Sequence, residues 1–296
     1  MKDILTIIFR LTVSCILAGT VMGTTFVFTN KAKKHNEHMK EERVAYSLLG
    51  YDKEVPESVQ LNTIYRYIVS QGGDQFIGYL MPAADGNTGG YTFLQIDLDG
   101  KMAAQDSVDI DKNGILEAEE RDAAILSAIG PGRDIRFADQ TQVVSEDGNR
   151  LAYLISGKFP GFKTHIAVMM ALKPDFSIIG FEVLEHEEDP GLGAEIEQTY
   201  FKNQFKDKPY EVLKGLDVVK APIPTDYLEA LEVKLDPQDL EKVMAQYRGN
   251  DIYALTGATI STVAVTDGLK GMVKKFAYRV NILDSVVDNQ NITVSF

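Results

Sequence analysis

The sequence has no tryptophan and a single cysteine, Cys15, in 296 residues. One cysteine excludes internal disulfides, a Cys-ligated zinc site and a Cys-bound iron–sulfur cluster. Basic residues are also scarce, 30 against 43 acidic, for a formal net charge of −13. With no basic-aromatic stripe, that balance excludes an ordinary nucleic-acid-binding surface. No internal repeat, low-complexity tract, nucleophile elbow, paired metal-ligand histidines or phosphate-loop lysine motif occurs. At 45% hydrophobic and 25% charged residues, the composition is that of a globular chain.

The charge is unevenly placed. Residues 1–43 hold seven basic and four acidic side chains, net +3, so the other 253 carry −16. Between Arg10 and Lys31 lie twenty uncharged residues, Leu11 to Asn30. As a helix they span roughly 30 Å, the hydrocarbon thickness of a bilayer. The length of the run and the lack of a clear small-x-small site favour a retained single-pass anchor over a cleaved signal peptide. The basic residues after the span (Lys31, Lys33, Lys34) favour a cytoplasmic body by local charge, but a large domain translocates regardless of such charges. Charge alone leaves the side open.

Residues 31–55 read as a juxtamembrane helix and linker, broken at Gly50 and Pro56. Beyond it, strand-like runs appear at 75–80, 91–96, 151–156, 165–172 and 177–184, the last two joined by the turn Lys173–Phe176. Helical patterns fall at about 117–129, 194–206, 237–248 and 261–280. In the last, Val265, Leu269, Met272 and Phe276 make one apolar face. Strands and helices without βα alternation predict an α+β body.

Three segments carry groups suited to chemistry. Leu255–Thr262 (Leu-Thr-Gly-Ala-Thr-Ile-Ser-Thr) opens the final helix. A helix start offers free N–H groups and positive dipole to a phosphate, and Gly257 and Ala258 allow close backbone approach. Ordinary capping by Thr256, Thr259, Ser261 or Thr262 is the structural alternative. His186–Gly193 (His-Glu-Glu-Asp-Pro-Gly-Leu-Gly) follows a strand and predicts a tight loop around Gly191, Leu192 and Gly193, able to wrap a planar ligand; an acidic connector is the other reading. It lacks the third glycine of a dinucleotide fingerprint. Asp109–Glu120 fits a twelve-residue calcium loop, with Asp109, Asp111, Asn113, the Ile115 carbonyl and Glu120 as oxygen donors. A solvated acidic turn is the alternative there.

Taken together, the N-terminal span, Gly161-Phe162 ahead of the strand at 166–172, the loop His186–Gly193 and Thr-Gly-Ala-Thr at 256–259 resemble the FMN-binding G subunit of the Rnf ion-translocating electron-transport complex. More distantly they resemble the C subunit of the sodium-pumping NADH:quinone reductase. The resemblance covers residues 1–45 and about 150–280. It implies FMN joined by a phosphoester to Thr259, the last threonine of the flavinylation motif, with Thr256, Gly257, Ala258, Ser261, His186, Gly191, Leu192 and Gly193 around the cofactor. It also implies a flavin transferase for maturation, other membrane subunits as partners, and a domain on the extracytoplasmic side of the cytoplasmic membrane. The subunit would be an electron carrier rather than a stand-alone enzyme. The family's loop reads Glu-Thr-Pro-Gly-Leu-Gly; here Asp189 replaces the threonine and removes its hydroxyl. The expected organisation is an anchor at 1–30, a linker at 31–55 and an FMN-binding domain at 56–296, with an acidic insertion at about 85–145. The competing reading is a membrane-tethered, calcium-responsive binding module without a redox role.

Overall fold

A computed structural model describes residues 2–51, 56–83 and 90–296, with the side chains of residues 2, 3, 5, 27, 28 and 30–38 excepted. The chain divides into two units, Met1–Ala45 and Tyr46–Phe296. The first is nearly all of α1 (Lys2–Leu48), which contains one stretch long and apolar enough to cross a membrane, Thr6–Phe26, with mean hydropathy 1.7. Its threonines do not contradict that reading. Thr12, Thr20 and Thr25 return their hydroxyls to carbonyls four residues back at 2.8–2.9 Å, leaving no free donor. The expected helix from 31 onward continues α1 without a break, whereas the linker's end at 52–55 lies outside the described residues.

The second unit is built on one eight-stranded sheet. Its strands are β1 (Val59–Gln71), β2 (Asp74–Pro82), β3 (Tyr91–Ile96), β4 (Met102–Val108), β5 (Asp134–Glu146), β6 (Asn149–Pro160), β7 (His165–Leu172) and β8 (Ile178–Glu185). They lie in the order β4-β3-β2-β1-β5-β6-β7-β8, every neighbour antiparallel. Hairpins therefore make all the connections except one. The chain between β4 and β5 carries α2 (Ala118–Ile129) back across the sheet to place β5 beside β1.

After β8 come short turns at Gly193–Glu197 and Asn203–Phe205 flanking α3 (Thr199–Lys202), then α4 (Tyr210–Gly215), β9 (Val218–Val219), α5 (Thr225–Leu231), α6 (Pro237–Tyr247), β10 (Ile252–Tyr253) and α7 (Thr259–Asn289). The single helix expected at 194–206 is thus three short pieces. Ile196, Phe201 and Phe205, all fully buried, are delivered to the core by successive tight turns instead of one helical face.

The sheet buries both faces. One carries the larger core, where Val265, Leu269, Val273 and Phe276 of α7 meet Tyr153, Ile155, Phe159, Met170 and Phe181. The other holds Tyr65, Tyr67, Val69, Leu80 and Phe93 under Ile125 and Ile129 of α2. Alternation along β1 feeds both: Ile64 enters the first core, Tyr65 and Tyr67 the second. The α+β architecture expected from the sequence is the one observed. The segment expected as an insertion holds the β3–β4 edge, α2 and nearly all of β5, which sits mid-sheet; its first residues, 85–89, lie outside the described residues.

Candidate functional site

β10 leads straight into Thr256–Thr259. It pairs in parallel with β9, and Ala254 N donates to Val219 O at 2.9 Å. Buried Gln204 holds Tyr253 on the other side, accepting from its N–H at 2.8 Å and donating to its carbonyl at 3.2 Å. The chain then turns through Gly257 at φ +76°, a left-handed conformation that glycine adopts without strain, with Ala258 N bonded to Leu255 O at 3.0 Å.

α7 begins with Ala258 at its cap position, which has no side-chain oxygen to offer the first-turn N–H groups. The four hydroxyls expected as caps or ligands divide into two pairs. Thr262 is fully buried; its Oγ1 donates to Ala258 O and accepts from Leu255 N, both at 3.0 Å. Ser261 is also buried and donates its hydroxyl to Oε2 of Glu188. Thr256 is exposed and Thr259 half-buried, and neither hydroxyl has a protein partner among the described residues. The uncapped helix start and the free Thr259 hydroxyl fit a phosphate ester at that residue.

The loop His186–Gly193 packs onto this turn. The carbonyl of Asp189 closes it, accepting from Leu192 N at 3.1 Å and Ala194 N at 3.0 Å, and Gly191 takes φ +72°. Leu192 then lies against Gly257, where an added Cβ would come within 3.0 Å of its Cδ2. Gly193 faces Ser261: a Cβ there would stand 2.7 Å from both Ser261 Oγ and Glu188 Oε2. Gly161 is equally constrained, its Cβ position 2.6 Å from Glu188 Oε1. The 161–163 corner, the loop 186–193 and the start of α7 thus converge. Phe162, Leu192 and Ile260 on them, and Val263 just beyond, remain substantially exposed.

His186 serves the loop itself. Its Nδ1 accepts from Glu188 N at 3.0 Å and its Nε2 lies 3.1 Å from Glu197 Oε1, so both ring nitrogens are engaged within the protein. Asp189, the family's threonine position, pairs instead with Lys163 at 2.5 Å. That hydrogen bond and charge hold the Lys163 ammonium above its usual range. Glu188 was not among the residues singled out by the sequence. An acidic tripeptide ahead of Pro190 reads as solvated, and nothing local marks its middle glutamate as 5% exposed.

The calcium-type loop lies apart, with Ile115 packed into the α2-side core. Asp111 Oδ1 accepts from Asn113 N at 2.8 Å and Gly114 N at 2.7 Å, bonds that hold its carboxyl below the usual range. The Ile115 carbonyl, expected as a cation donor, receives Arg121 Nη1 at 2.9 Å. Arg121 is buried over Tyr65, with its Nε on Tyr67 Oη at 2.7 Å. Among the described residues no three Asp, Glu, His or Cys side chains converge to hold a metal. Of the five groups expected as donors, Asp111 and the Ile115 carbonyl thus already accept hydrogen bonds from the protein's own groups.

Residues 161–274 match the model of the FMN-binding domain. The converging segments and this match define a flavin-binding protein. The chain is 30% identical over 175 residues to the G subunit of the proton-translocating ferredoxin:NAD(+) oxidoreductase complex of Clostridium ljungdahlii, covering 59% of this chain and 76% of that protein. It is also 30% identical over 173 residues to the G subunit of the ion-translocating oxidoreductase complex of Methanosarcina acetivorans, covering 54% and 76%. The crystal structure of Shewanella oneidensis NqrC is similar at TM-score 0.44 and 17% identity, covering 80% of this chain and 91% of that one. The chain belongs to the G-subunit family of Rnf-type ion-translocating oxidoreductase complexes, and its α1 holds a stretch long and apolar enough to cross a membrane.

Proposed function

We propose that this protein is the covalent-FMN electron carrier of a membrane-bound, Rnf-type ion-translocating complex, with Thr259 as the attachment residue. The observation that carries the assignment is the division of hydroxyls at the start of α7: Ser261 and Thr262 are turned inward, and Thr259 is free on the first residue of an uncapped helix. A threonine hydroxyl is a weak nucleophile, so a separate flavin transferase makes the ester from FAD. Thr259 Oγ1 bonds to the FMN phosphorus, the pyrophosphate bond breaks, AMP leaves, and the hydroxyl proton passes to solvent or enzyme base. When bound, FMN supplies the electron carrying. The chain's residues supply the rest. First-turn N–H groups of α7 would hold the phosphate, and Gly257 and Ala258 would admit it beside Leu192.

Residues 1–30 act as anchor, 31–55 as connection and 56–296 as flavin domain, the latter on the extracytoplasmic side of the cytoplasmic membrane. Other subunits of the complex are the electron partners. The test is co-expression of the full chain with a flavin transferase. Wild type and Thr256→Ala should retain flavin fluorescence through acid precipitation and denaturing electrophoresis, and Thr259→Ala should lose it. Retention of the flavin by Thr259→Ala moves the attachment elsewhere.

A further inference from the structure

Glu188 is a buried carboxylate that flavin attachment as described does not use. It lies within the flavin site and takes hydrogen bonds from two other segments. Oε1 accepts from Phe162 N at 2.8 Å and Lys163 N at 3.3 Å; Oε2 accepts from the Ser261 hydroxyl. The two backbone N–H groups and the Ser261 hydroxyl all donate to it, as suits a carboxylate. Two glycines are shaped around it, since a Cβ at Gly161 or Gly193 would stand 2.6 or 2.7 Å from its oxygens. Among the described residues no lysine or arginine forms an ion pair with Glu188; the ammonium of Lys163 is committed to Asp189. The charge is therefore held by backbone and hydroxyl donors, an arrangement with little reason to exist unless the three segments must be registered to one another.

We propose that Glu188 is a positioning residue for flavin attachment: through Ser261 it fixes the first turn of α7, and so the Thr259 hydroxyl, against the 161–163 corner. Ser261 lies two residues after Thr259 in the same turn. A hydroxyl held there cannot rotate out to compete for the incoming phosphate, and the turn cannot unwind toward Gly257. Glu188 touches neither acceptor oxygen nor phosphate and acts only through Ser261 and the corner. This inference rests on Thr259 being the attachment site.

The experiment follows the rate of covalent FMN incorporation into the purified full chain by a flavin transferase with FAD. The variants are Glu188→Gln, Ser261→Ala and the double substitution, each with its melting temperature. Either single variant should slow turnover by about tenfold or more, the effect of losing one charge-assisted hydrogen bond that sets geometry. The KM for the acceptor chain should not change, and melting should stay near that of wild type. Because both changes break one link, the double variant should be no slower than the slower single. Wild-type turnover in either single variant, rates that multiply in the double, or slowing that tracks loss of melting temperature overturns the proposal. If Glu188→Gln does not fold, Ser261→Ala decides alone by the same criteria. A wild-type chain that takes up no flavin on Thr259 overturns the attachment reading itself, a result distinct from normal attachment with indifferent Glu188.

Discussion

Two glycines three residues apart on α7 should respond to the same substitution with opposite sign. Gly268 packs against Phe159 of β6, and a Cβ built on it would lie 2.5–2.6 Å from three atoms of that ring. Ordinary carbon contacts begin at about 3.5 Å, so Gly268→Ala forces the helix or the ring to give by about 1 Å. Phe159 is 9% exposed and inside the main core, so it has no free volume to swing into. Overpacking costs about 1–3 kcal/mol, and contacts this short belong in the upper half of that range. Alanine's better helix propensity returns about 1 kcal/mol. The net is a loss of about 1–2 kcal/mol, or about 3–6 °C in melting temperature for a body of this size. Gly271 has nothing within 4 Å of its Cβ position, so Gly271→Ala keeps the propensity gain and should melt about 2–3 °C higher. Thermal circular dichroism of the two variants in detergent reads the contrast directly. If Gly268→Ala melts at or above Gly271→Ala, the close approach of α7 to β6 is not what stabilises this face.

Asp139 takes Arg66 Nε at 2.8 Å and Nη2 at 2.5 Å and Arg279 Nη1 at 2.9 Å. Burial pushes its carboxyl up, but the two guanidiniums outweigh burial and hold it below the usual range. Its contribution is therefore present above about pH 4, the unfolded value, and lost as pH falls through the lower folded value. Asp139→Asn should cost about 1–3 kcal/mol at neutral pH after allowing for partial solvent screening, and much less in strong acid, by urea titration. Lys208 is fully buried with Nζ on the carbonyls of Arg248 and Asn250, and burial lowers it to about 8 against a small opposing pull from Asp251. Between pH 8 and its unfolded value near 10.4 the unfolded chain binds the extra proton, so wild type should gain up to about 3 kcal/mol relative to Lys208→Met across that window. A flat difference would refute the assignment. Because Arg121 holds the Ile115 carbonyl, millimolar calcium should leave the melting temperature unchanged. A rise of several degrees that disappears in Glu120→Gln would show that the loop reorganises around the ion.

Much of this protein was legible locally. A charge-free run long enough for a bilayer declares itself without tertiary help, and α7 announced its buried face through Val265, Leu269 and Phe276 because helical period alone sets which side chains share a side. β7 and β8 were equally plain, apolar runs bounded by a Lys-Pro-Asp turn. β1 and β5 were not, though they sit mid-sheet. Arg66 and Asp139 interrupt their apolar pattern, and only the antiparallel register that sets the two opposite one another makes both tolerable inside a sheet.

The Thr-Gly-Ala-Thr turn and the Pro-Gly-Leu-Gly loop were visible as motifs, and a family resemblance gave them a cofactor. Sequence by itself determined the bilayer-length apolar run, the α+β class and the residues at the helix start. Tertiary structure alone decided which hydroxyls there are free. Thr259 and Ser261 read alike in one dimension, and what separates them is a carboxylate 73 positions before Ser261. Hydrogen-bond partners that distant are chosen by how the sheet and α7 dock, a choice that no local period encodes.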